Sequence, residues 1–122
     1  MNKPIPRPVH AVLDYGYAAL FAGAPELVGF TDEETAARLS RVVSGGVALT
    51  SLMTRYELGL VKVLPFKAHL AADVAVGLLT LSAPFLFGFS DNKKARNFFV
   101  GLGAFSVMAG LLTESREMSQ EE

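Results

Sequence analysis

Long apolar stretches alternate along this chain with short breaks rich in proline, glycine and charge. The longest runs without a charged residue are Val74–Ser90 and Asn97–Thr113. Each is close to the ~17 residues at which a helix begins to cross a hydrocarbon core. Phe98–Leu112 shows no polar stripe of the kind a helix in a soluble bundle turns to water. In the first half the pattern is similar but interrupted by Asp14 and Arg41. Four helices are predicted, over Val9–Leu27, Asp32–Thr54, Phe66–Phe87 and Asp91–Thr113. Pro6 or Pro8, and Pro65, suit the opening turns, where a missing N–H costs nothing. Pro25 and Pro84 should loosen the last turns of helices one and three, and Gly29 and Gly88 should end them. Thr31 and Glu34 have the spacing of a capping box for helix two.

The two halves are copies. Sliding the chain by 59 residues places Lys3 on Lys62, Pro6 on Pro65, His10 on His69 and Asp14 on Asp73. The register continues through Ala24-Pro25 on Ala83-Pro84, Gly29-Phe30 on Gly88-Phe89, Asp32 on Asp91, Ala36 on Ala95 and Thr54 on Thr113. Many of these are Pro, Gly, His or Asp, so shared apolar composition does not account for them. The chain reads as a single domain, 1–122, with repeat units 3–54 and 62–113, each a helical hairpin. The copies diverge at Glu26 against Phe85 and at Arg41 against Val100.

Composition favours lipid over water. Hydrophobic residues make up 51% and charged residues 19%, below the roughly 25% charged share of soluble domains. Small residues recur inside the helices at Ala19, Gly23, Gly45, Gly46, Gly101, Gly103, Ser106 and Gly110. Glycine in a helix costs up to ~1 kcal/mol in water, whereas in lipid small residues let helices approach closely. The expected fold is therefore an all-α, four-helix transmembrane bundle of two tandem helical hairpins. Asp14 breaks any apolar core a signal peptide would need, so residue 1 onward is read as mature protein. Lys3, Arg7, Arg55, Lys62, Lys67 and Arg116 flank one side of the membrane; Arg38, Arg41, Lys93, Lys94 and Arg96 flank the other. That margin leans toward cytoplasmic termini. A net charge of −1 gives no footprint for nucleic acid. The absence of cysteine excludes disulfides and thiolate metal sites.

The pattern His-x3-Asp, then a helix ending in small-Pro-large and Leu/Phe-Gly-Phe, occurs twice and resembles the SPW-repeat integral membrane proteins of bacteria. Their Ser-Pro-Trp motif lies in the first of two spans per repeat. Here its positions read Ala24-Pro25-Glu26 and Ala83-Pro84-Phe85; the proline is kept in both, serine and tryptophan in neither. The resemblance covers residues 10–54 and 69–113. It implies a small multi-pass protein of the bacterial inner membrane and no assigned activity.

The polar exceptions are few. His10 with Asp14, and His69 with Asp73, stand four apart on one helical face near the first turns of helices one and three. As a functional pair they would form two symmetric sites on one membrane side, because ionisable groups within spans are functional candidates. His10 and His69 could also ligate a haem or chlorophyll-type pigment, with carboxylates holding the second ring nitrogen. The structural reading is favoured: these residues tie the helix starts to the Thr54-Arg55-x-Glu57 and Thr113-Glu114 ends. No metal site is expected, since each helix offers two ligands and no more. Glu26 is expected in solvent at a helix end, Tyr15, Tyr17 and Tyr56 near one interface, and the acidic tail Glu114–Glu122 as a frayed, solvated end. No catalytic motif is present, and no resident cofactor is expected. The expected role is non-enzymatic, as an accessory or scaffold subunit packed in the bilayer against other membrane proteins or against itself. A pigment-binding protein and a small transporter or channel using Asp14, Asp73 and Glu26 are the alternatives.

Overall fold

The computed structural model describes residues 3–118. The chain is all-α, with α1 at Arg7–Ala24, α2 at Glu34–Leu52, α3 at Phe66–Leu86 and α4 at Lys93–Leu112. α1 packs along α2 and α3 along α4, so each repeat unit is a hairpin. Pro6 and Pro65 stand immediately before α1 and α3, in extended conformations that start the helices without needing an N–H.

At the far end of each first helix the proline acts as the pattern suggests, with different reach. In unit one, Pro25–Gly29 forms a π-helical turn; in unit two, α3 stays α-helical through Pro84 to Leu86. The same wide turn closes both, with Phe30 N–H donating to the Pro25 carbonyl and Phe89 N–H to the Pro84 carbonyl at 2.9 Å each. Gly29 (φ 96°) and Gly88 (φ 78°) follow in the left-handed region, which only glycine enters without strain. The capping box does not form. α2 starts two residues later than expected, with Glu33 at the cap position and no side-chain cap. The equivalent position in unit two is Asn92, short enough to accept from Ala95 N–H at 3.1 Å.

Two buried regions hold the hairpins together. At the turn end, Phe21, Phe30, Phe89 and Phe99 interlock edge-on and tilted around Ala24, Ala36, Ala83 and Ala95. At the opposite end, Ala11, Tyr56, Phe66 and Leu70 form a smaller cluster. The units also clasp one another there. Ile5 pairs with Thr113 in a short parallel bridge, and Leu64 pairs with Thr54. These are equivalent contacts 59 residues apart, each joining the start of one unit to the end of the other.

The tail is not frayed over its described part. Glu114 N–H bonds the Ile5 carbonyl, Glu117 accepts from Phe66 and Lys67 N–H at the start of α3, and Met118 is buried. A carboxylate there satisfies two free helix N–H groups and suits the helix dipole. Residues 119–122 of the expected frayed end lie outside the described residues. The small residues also divide. Gly103 and Gly110 lie against α3, whereas Gly45, Gly46 and Gly101 have nothing within 4 Å of a would-be Cβ. Gly77, on the facing side of α3, belongs with the first group.

Candidate functional site

The two His–Asp pairs are not two sites. The Ile5–Thr113 and Thr54–Leu64 clasps bring the first turns of α1 and α3 together, and the four side chains meet at one point between the units. Within each helix the four-residue spacing sets His Nε2 beside its own Asp: His10 to Asp14 is 3.2 Å and His69 to Asp73 is 3.3 Å. The shorter approaches cross between units, with His10 Nε2 2.7 Å from Asp73 Oδ2 and His69 Nε2 2.9 Å from Asp14 Oδ2. Each distance is close to that of its 59-residue equivalent, as for a cluster lying on the axis that relates the repeats. The imidazole centroids are 5.5 Å apart and the rings are nearly perpendicular, at 85°.

The outer ring nitrogens are held by the threonines that the repeat register aligned. His10 Nδ1 is 2.7 Å from Thr113 Oγ1, and His69 Nδ1 is 2.7 Å from Thr54 Oγ1. Again the partners come from opposite units. Each threonine donates its one hydroxyl proton to a carbonyl four residues back, Thr54 to Thr50 and Thr113 to Ala109. The hydroxyl oxygens are therefore acceptors, and each Nδ1 carries the donated hydrogen. That fixes both imidazoles with Nε2 facing the carboxylates.

Water is kept out on one side by the connection between the units. Tyr56, expected at an interface, is fully buried; its OH donates to Asp14 Oδ2 at 2.9 Å. Lack of solvent and the nearby Asp14 charge push the Tyr56 phenol far above its ordinary range. Phe66 packs edge-on to His10, closing the other flank. On the opposite side the quartet opens onto a cavity of about 290 Å³ lined by residues of all four helices. His10, Asp14 and Asp73 form its polar end; Leu39, Val43 and Thr80 are among the residues that line the rest. Val42 of α2 and Val76 and Leu79 of α3, which also line it, are exposed, so the cavity opens sideways between α2 and α3.

Repeat membership is decided by sequence comparison. The sequence model of the SPW repeat domain matches residues 8–113, which is most of the chain. The chain belongs to the SPW repeat family. No curated protein and no solved structure matches it. The SPW motif positions lie at the turn end of the bundle, far along α1 and α3 from the quartet. Family membership together with two helices, Phe66–Leu86 and Lys93–Leu112, that are long and apolar enough to cross a membrane fits a small membrane protein.

Glu26, at the tryptophan position of the first SPW motif, is exposed at that same end, as its place after Pro25 suggests. It accepts from Arg41 at 2.7 Å. Two of the positions at which the repeats diverge are thus one ion pair in unit one, replaced by Phe85 and Val100 in unit two. Glu26 does not approach Asp14 or Asp73. What the pattern of residues did not reveal is the crossing of partners between units and the burial of Tyr56, which lies in a connection with no helical period to read.

Proposed function

We propose that this SPW repeat protein is a non-enzymatic, four-span membrane protein that acts as a packing subunit, joined to a neighbouring membrane helix or to its own second copy along α2. One observation carries this reading. Val42, Gly45, Gly46 and Leu49 share one face of α2; the valine and leucine are exposed, and a Cβ added at either glycine would meet nothing within 4 Å beyond its own helix. In water such a face costs helix stability; in lipid it is a surface of close approach for another helix. An apolar belt elsewhere supports the four-span part: Val12 and Leu20 on α1, Leu78 and Leu79 on α3, and Phe105, Met108 and Leu111 on α4 all face outward. Asp14, the acidic residue in the body of α1, is turned inward onto the histidines.

The other two readings gain less. A flat macrocycle between His10 and His69 would have to displace both carboxylates from between rings 5.5 Å apart. A transport path would need polar groups between the quartet and Glu26, and the space between is lined mainly by apolar side chains.

The natural absence of cysteine makes the test clean. Single cysteines at Val42 or Leu49, in native membranes, should form cross-linked species with a thiol-reactive linker, whereas one at the buried Ala36 should not. Gly45→Leu should abolish the cross-link while leaving the helix content intact. A protein that stays monomeric and alone in mild detergent, with no cross-link from the α2 face, would overturn the proposal.

A further inference from the structure

The quartet has the donor set, spacing and support of a metal centre. We propose that His10 Nε2, His69 Nε2 and one oxygen each from Asp14 and Asp73 bind a single divalent transition-metal ion of the Zn²⁺ class on the axis between the repeats.

Five observations converge on this assignment, and they are the ones a candidate metal site has to satisfy. The four donors lie within 4.8 Å of one another. A tetrahedral ion with bonds of ~2.0–2.1 Å needs neighbouring donors roughly 3.3 Å apart. Asp73 Oδ2 lies 2.7 Å from His10 Nε2 and 3.3 Å from His69 Nε2, and Asp14 meets His10 through Oδ1 at 3.2 Å and His69 through Oδ2 at 2.9 Å, so these His–Asp contacts stand at or a little inside that spacing. Two carboxylates neutralise a divalent ion, which matters in surroundings this apolar. Both imidazoles are already held with Nε2 inward by a threonine on Nδ1, the outer-sphere contact that metal-bound histidines ordinarily possess. The cavity reaches the quartet from the side, so the four donors are not sealed on every face by packed side chains.

One inner atom is also poorly served by the protein alone. His69 is 1% exposed and its Nε2, though 2.9 Å from Asp14, makes no well-aligned hydrogen bond. A bare ion-pair cluster would be expected to align that contact; a buried ring nitrogen left without a hydrogen bond suits a ligand there. Imidazole with carboxylate donors favours Zn²⁺, Fe²⁺ or Co²⁺ over Mg²⁺ and Ca²⁺, which take oxygen ligands in larger number.

The assignment is tested on the full-length, untagged protein in mild detergent after chelator treatment. Titration with Co²⁺ should give one ion per chain and the intense visible absorption of a four-coordinate site, lost when Zn²⁺ is added. Excess Mg²⁺ should leave it unchanged. Asp73→Asn and His69→Gln should weaken Zn²⁺ binding at least about 100-fold, and Thr113→Val, which touches no ligand atom, about 10-fold. A merely structural cluster would lose stability in these variants without any change in metal uptake. Where a variant does not fold, the wild-type titration still decides. Substoichiometric uptake, the weak spectrum of a six-coordinate ion, or equal binding by wild type and folded variants would each overturn the site.

Discussion

The two repeat units cross their helices at the same place by different means. In unit one, Ser44 of α2 donates to the Ala18 carbonyl of α1 at 2.6 Å, and Ser40 donates to the Phe21 carbonyl at 2.6 Å. The positions equivalent to Ala18 and Ser44 are Gly77 and Gly103. There the α3 and α4 backbones touch: a Cβ on Gly103 would stand 2.4 Å from Leu81 N and 2.8 Å from the Gly77 carbonyl. At this crossing one hairpin is held by side-chain donors to backbone and the other by absence of side chains, although nearer the quartet Ser106 of α4 donates to the Asp73 carbonyl of α3 at 2.9 Å. Hydrogen bonds serve the first crossing and van der Waals packing the second, the two means by which helices associate where no hydrophobic driving force acts. Unit one also keeps the Glu26–Arg41 ion pair where unit two has Phe85 and Val100. The glycine-packed unit is the one whose helices are long and apolar enough to cross a membrane.

The largest effect should fall where the units do not differ. His10→Ala and His69→Ala each leave the buried Asp14 and the partly buried Asp73 short of a partner. Each should cost about 3–5 kcal/mol, and the two losses should be equal within error in equilibrium unfolding, since the quartet is shared. Unequal losses would show that the cluster belongs to one unit. Next comes Gly103→Ala, which drives a methyl group into backbone; it should cost about 3 kcal/mol, the upper end of overpacking. The matching change in unit one, Ser44→Ala, should cost about 1 kcal/mol, one hydrogen bond. If the order were reversed, the contrast between the two crossings would be wrong.

A smaller, pH-dependent difference sits at the quartet end. Arg7 makes a two-pronged contact with Glu57, and those hydrogen bonds hold the Glu57 carboxyl below its ordinary range. Unit two has Phe66 and Arg116 at these positions. A carboxyl depressed in the folded state stabilises fully above its unfolded value, and that stabilisation is lost as pH falls through the folded one. Wild type should therefore lose more stability than Glu57→Gln on acidification through that window. Parallel acid titrations would dismiss the contact as a source of stability. The smallest effect is expected from the double change Glu26→Phe with Arg41→Val, which makes unit one like unit two. Both side chains are about half exposed, and unfolding should not move measurably.

The divergence at positions 26 and 41 was visible in the repeat register, although their contact was not. Two residues 15 apart, on either side of a turn, carry no local sign that they face each other. The capping box shows the opposite limit: Thr31 and Glu34 have the right spacing, but the wide turn after Pro25 delays the helix start to Glu34. Glycines could be counted along the chain, yet their roles could not. Gly103 meets a backbone and Gly45 meets nothing, and only the facing helix distinguishes them.

Four helices, their order, their proline and glycine ends and the doubled unit were all decided by the sequence, because each rests on local periodicity and local backbone chemistry. The pairing of His10 with Asp14 and of His69 with Asp73 within a helix face follows from the same spacing. That the four meet as one buried quartet, with each histidine bound to the other unit's threonine, was decided by tertiary structure alone. The clasps of Ile5 with Thr113 and of Leu64 with Thr54 bring the first turns of α1 and α3 together, and contacts that join residues 103 and 63 positions apart leave no mark on local pattern.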